Sequence, residues 1–135
     1  MRIPVVASIL LALVSHTAQA ATSITIDAKQ NCIQNAVTPG PSYGNSVAFQ
    51  LAPGRYVMSL STNTMSCTGG SGCVIDAVHV VGGMGSARWG TTVTKQPTVV
   101  DVGSSAPALT LWSFITDDVC ADNSGQTTLL IQTVN

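Results

Sequence analysis

Three of the six acidic side chains of this chain, Asp117, Asp118 and Asp122, fall with Asn123 inside one seven-residue stretch, Asp117-Asp118-Val119-Cys120-Ala121-Asp122-Asn123. Carboxylates this close repel, and a folded loop meets that repulsion either by leaving them solvated or by wrapping them around a cation. Carboxylate, amide and carbonyl oxygens form a hard donor set, and calcium is the ion that suits it. The plainer reading is a solvated turn, because Asn123-Ser124-Gly125 is also ordinary turn chemistry. Order separates the two: a loop crowded with carboxylates and holding no cation is expected to be mobile. An EF-hand is excluded, since that motif needs helical flanks and a bidentate Glu, and the chain has no Glu at all.

The other residues that carry chemistry are few. Only two His occur, His16 near the start and His79 in an apolar run, so a multi-His zinc centre or a Ser-His-Asp triad with a spare His cannot be drawn. Without Glu, a Glu-based glycosidase pair is also excluded. An Asp-dependent hydrolase would need two of the clustered carboxylates with separated pKa values in a closed pocket, which a turn does not offer, and no enzyme is expected. His79 reads as a satisfied core or edge histidine. Trp89, after Arg88, reads as half exposed, and with the loop residue Tyr43 it is a weaker ligand-contact candidate. Trp112 alternates with Phe114, which predicts that it packs in the core.

Four cysteines allow three pairings. Cys67 and Cys73 flank a five-residue Thr-Gly-Gly-Ser-Gly loop that closes easily, which favours that pair and leaves Cys32 with Cys120 inside the acidic stretch. Such bridges need an oxidising compartment. The first twenty residues supply a route to one: basic Met1-Arg2, an apolar run from Ile3 to Val14, and the small-x-small Ala18-Gln19-Ala20. Residues 1–20 thus read as a cleaved secretory signal and 21–135 as one domain, secreted or periplasmic, with no later run long enough to span a membrane. From Ala21 onward four basic side chains face six Asp. No basic stripe exists to neutralise phosphates, and no nucleic-acid partner is expected.

The elements that must position these residues follow a period of two. Ile24 and Ile26 flank Thr25; Val47, Phe49 and Leu51 alternate with Ala48 and Gln50; Tyr56, Met58 and Leu60 alternate with Val57 and Ser59. Pro53-Gly54 between two such runs predicts a hairpin, and Val74 to Val81 a strand covered on both faces. Further strands are expected over 87–93, 98–102, 109–116 and 127–134. Seven or eight short antiparallel strands without a helix predict an all-β, disulfide-stabilised β-sandwich.

Leu51-Ala52-Pro53-Gly54-Arg55-Tyr56 leading into a strand, a Cys pair ahead of an apolar strand, Arg88-Trp89, and Asp117-Asp118 with Asp122-Asn123-Ser124-Gly125 before a last amphipathic strand form a series. In this order they resemble the bacterial calcium-dependent galactophilic lectins and their secreted relatives, across most of the chain after residue 20. The resemblance implies a jelly-roll-like sandwich and a loop-bound calcium that contacts glycan hydroxyls directly. It implies side-chain ligands among Asp117, Asp118, Asp122 and Asn123, and carbonyl ligands from Val119 or Cys120 and from Met65 or Ser66 in the opposing loop. The acidic loop is shorter than in the galactose binders, and Ser61 to Ser66 has no counterpart of their polar His-Pro loop. The expected function is a secreted calcium-binding carbohydrate-recognition module with a glycan partner. The alternative is a structural or protein-interaction sandwich that calcium and disulfides only stabilise.

Overall fold

The computed structural model describes residues 21–34, 44–68, 72–84, 87–103 and 107–134. Residues 1–20, where a secretory signal is expected, and Tyr43 lie outside the described residues. Among the described residues eleven strands follow one another: β1 (Thr22–Asp27), β2 (Cys32–Gln34), β3 (Val47–Leu51), β4 (Gly54–Asn63), β5 (Ser66–Cys67), β6 (Cys73–Val74), β7 (Val78–Met84), β8 (Ala87–Val93), β9 (Thr98–Val102), β10 (Leu109–Asp117) and β11 (Gln126–Thr133). The excess over seven or eight comes from pieces of two or three residues, β2, β5 and β6, too short to leave an alternating pattern in sequence.

Two sheets pack face to face. One has the order β1-β11-β4-β9; the other has β2-β10-β7-β8, with β3 also paired to β10. Pairing is antiparallel except between β2 and β10, where Cys32 to Gln34 run parallel to Ile115 to Asp117. Successive side chains of a strand point to opposite faces, so the alternating apolar positions all meet between the sheets. Met58 and Leu60 of β4, Leu129 and Ile131 of β11, Val78 and Val80 of β7, and Leu111 and Ile115 of β10 are buried in one cluster. Each such side chain contributes about 1.5–3 kcal/mol by leaving water.

Three expectations are corrected by this packing. Pro53-Gly54 joins no hairpin: β3 pairs with β10 while β4 pairs with β11 and β9, so the turn carries the chain from one sheet to the other. Leu51 and Tyr56 both face the core across that corner, and the Tyr56 hydroxyl donates to the Ala52 carbonyl at 2.7 Å. The run from Val74 to Val81 is divided between β6 and β7, and only Val78 and Val80 of β7 are buried there. Trp112 is not in the core. Along β10 the inward positions are Leu109, Leu111, Ser113 and Ile115, which puts Trp112 and Phe114 half-buried on the outer face.

Candidate functional site

At the end of β10 the chain leaves the sheet and makes a short 3-10 turn, Cys120–Asp122, before Gln126 starts β11. Four ties hold this loop. The Cys32–Cys120 disulfide, with Cα atoms 5.7 Å apart, fastens it to the start of β2. Ser66 and Ser124 exchange a pair of backbone hydrogen bonds at 2.9 Å, which fastens it to the strand ahead of the second disulfide, Cys67–Cys73. Asn123 is buried and its amide Nδ2 donates to the Ala28 carbonyl at 3.1 Å and to Cys32 Sγ at 3.5 Å. Gly125, at φ +82°, lies so close to the Thr64 carbonyl that a Cβ would collide with it. Both disulfides are the pairs that the spacing favoured.

The polar groups left over on this frame are the carboxylates. Asp118 and Asp122 are exposed and Asp117 is half-buried. The Asp117 carboxylate caps its own turn, accepting from the Asp118 amide at 2.7 Å. None of the three has a basic partner among the described residues, where the ion pair is Arg55 with Asp101, on the other sheet. Asp27 acts locally, where its Oδ1 accepts from the amides of Lys29 and Gln30 at 2.9 and 2.8 Å and shapes the turn against which Asn123 is pinned.

The donor atoms divide into engaged and free. The Ser66 carbonyl accepts from Ser124, and the Met65 carbonyl accepts from Ile75 at 3.2 Å. The Cys120 carbonyl takes a long bond, 3.4 Å, from the Asn123 amide, while Val119 is exposed. Asn123 Oδ1 is buried and accepts no hydrogen bond. A buried amide oxygen left without a donor costs about 1–3 kcal/mol, so this atom fits a site that a cation or a water completes. Among the described residues, no group of three or more His, Cys, Asp or Glu side chains could hold a metal ion. An ion here would therefore draw on Asn123 and on backbone carbonyls beside the carboxylates, a donor set that calcium accepts.

β10 carries a second set of side chains, which the sequence did not single out as a group. On the outer face of its sheet, His79 of β7 stands opposite Thr92 of β8 and Phe114 of β10. Its two ring nitrogens lie 3.3 Å from the hydroxyls of Thr92 and Thr116, and its ring centroid is 5.6 Å from that of Phe114. With Val81 and Gly90 these residues line a shallow depression of about 360 Å³. The available signal was the order Thr110, Trp112, Phe114, Thr116, where hydroxyls bracket the aromatics. Trp89 points the other way: half-buried, it packs on the core, and a Cβ at Gly82 would come within 2.8 Å of its ring.

No family model, no curated protein and no solved structure matches this chain. Among the described residues no helix is long and apolar enough to cross a membrane.

Proposed function

We propose that this protein is an exported, non-enzymatic carbohydrate-recognition module whose acidic loop holds calcium. The unpartnered, buried Oδ1 of Asn123, in a loop tied down on both sides yet lined by carboxylates with no basic partner among the described residues, carries this reading. One or two of Asp117, Asp118 and Asp122 would supply carboxylate oxygens, Asn123 its amide oxygen, and Val119 and Cys120 their carbonyls. A bound calcium ion accepts vicinal hydroxyl oxygens of a sugar in its spare coordination positions. The chain's own part is to fix the donors beforehand, so that little ordering entropy is lost on binding. The signal-like first twenty residues support export, and two disulfides in a small domain are compatible with it.

Thermal unfolding of the oxidised chain from Ala21, first with chelator, then with millimolar calcium, then with simple sugars added, tests this reading. A ligand that binds the folded state raises the transition. Calcium is expected to raise it, one sugar to raise it further, and Asp122→Ala with Asn123→Ala to abolish the calcium response while the chain still folds. A full calcium response in that double variant would refute the site.

A second reading, a sandwich that calcium and disulfides only stiffen for protein interaction, is favoured by one observation. The Cys32–Cys120 bridge and the Ser66–Ser124 pair already order the loop, and the Met65 and Ser66 carbonyls are already engaged. That reading expects the calcium shift without any sugar shift.

A further inference from the structure

The outer face of the β10-β7-β8 sheet carries a ring platform that the loop reading does not use. We propose that the depression around His79 and Phe114 is a separate, metal-independent contact site for one neutral sugar ring.

Its size comes first. At about 360 Å³ the depression is near the lower end of small-ligand sites, roughly 300–1,000 Å³, which suits a single ring and not an extended chain. Its lining contains no Asp, Glu, Lys or Arg, so nothing there selects a strongly charged ligand.

The lining chemistry narrows the occupant further. Phe114 and Val81 supply apolar surface, which a pyranose meets with its C–H face. Thr92 and Thr116 each carry a hydroxyl that both donates and accepts, the capacity needed to exchange hydrogen bonds with sugar hydroxyls. Each of these hydroxyls already lies 3.3 Å from a nitrogen of His79, so the edges of the imidazole are occupied and its orientation is fixed across three strands. What the ring offers a ligand is its face. Gly90, exposed and without a side chain, keeps the depression open: a Cβ there would stand 3.2 Å from Val81 Cγ1 and fill the space. A purely apolar ligand would leave the remaining hydrogen-bonding capacity of the hydroxyls unused, and an ion would find no countercharge.

His79 makes the test direct, because it is the only His after residue 16. The oxidised chain from Ala21, which contains every described element, is titrated with a panel of neutral methyl pyranosides in excess chelator while the imidazole resonances are followed by NMR. One glycoside is expected to shift them saturably and to raise the thermal midpoint. Gly90→Val should weaken that affinity about tenfold or more, equivalent to 1.4 kcal/mol, with the fold retained by circular dichroism. Asp122→Ala should leave the titration unchanged, which separates failure here from failure of the calcium reading. Absence of any saturable shift in the parent chain overturns the proposal. So does a shift that appears only with calcium, which would place the sugar on the loop, or one that follows protein concentration, which would make the occupant a second copy of the chain.

Discussion

The acidic loop and the sheet face beside it meet at the end of β10, where Thr116 belongs to one and Asp117 to the other, yet they are built in opposite ways. The loop is fixed by backbone and sulfur: a disulfide to β2, an exchanged hydrogen-bond pair to Ser66, and the buried Asn123 amide. Its carboxylates are what remains after the scaffold is made. On the sheet face the side chains are themselves the scaffold, since register alone brings His79 opposite Thr92 and Phe114. The loop presents its carboxylates to water, whereas the half-buried ring of His79 takes its partners from the neighbouring strands. The ring nitrogens of His79 thus have hydroxyl partners, while among the described residues the three loop carboxylates have no basic ones.

The largest effect that would test this contrast comes from removing the loop's covalent tie. Cys32 and Cys120 are 88 residues apart, and in the chain-entropy picture their bridge stabilises the fold by about 4–5 kcal/mol. Cys32→Ser with Cys120→Ser should lower urea stability by that order and speed amide exchange at Asn123 and Ser124. The His79 resonances should keep their positions, because β7, β8 and β10 hold the ring without sulfur. If those resonances moved as well, the two regions would be one unit.

A smaller effect should mark the sheet face. Replacing Thr92 and Thr116 together by Val removes both hydroxyl partners of the imidazole, and at roughly 0.5–1.5 kcal/mol for each net hydrogen bond the loss should be about 1–3 kcal/mol. The value falls toward the low end because solvent reaches both threonines. Stability measured in urea and imidazole line positions should both change, while any calcium response of the loop stays the same. A calcium response that changed in parallel would show coupling through β10.

The smallest effect belongs to Arg55 and Asp101, a carboxylate that does have a cation. Arg55 Nε and Nη2 donate to Asp101 at 2.7 and 2.9 Å across β4 and β9. The hydrogen bond from Arg55 holds the Asp101 carboxyl below its ordinary value, against an opposing cost of desolvation that exceeds the attraction of the guanidinium charge. A carboxyl depressed in the folded state stabilises above its unfolded value, and that contribution is lost as pH falls through the depressed one. Both partners are exposed and screened, so the acid-side loss should be slight. Comparing Asp101→Asn with the parent chain between neutral and acid pH should show it disappear. An unchanged acid limb would mean that the pair contributes nothing measurable.

Much of the sandwich was legible along the chain, since alternation survives wherever one face meets the core and the other meets water. The strands Ala87–Val93 and Thr98–Val102 coincide with the runs expected from sequence. The reading failed where both faces of a strand carry apolar groups. In β10 the larger rings, Trp112 and Phe114, point outward, and the small Ser113 points in, its buried hydroxyl without a hydrogen-bond partner. Residue volume suggested the opposite. The hairpin at Pro53-Gly54 failed for another reason: a turn dipeptide reports a change of direction and is silent on which strand the next one joins.

By itself the sequence determined that the protein is all-β, which cysteines were most easily paired, and that half of its acidic side chains crowd into one loop. Composition, period and spacing are local, and local quantities carry that much. Only the tertiary structure decided that Asn123 turns inward with Oδ1 unpartnered, that Met65 and Ser66 have their carbonyls engaged, and that His79, Thr92, Phe114 and Thr116 share one depression. Those facts depend on contacts between segments tens of residues apart, and a one-residue shift of register would send His79, Thr92, Phe114 or Thr116 to the opposite face of its sheet.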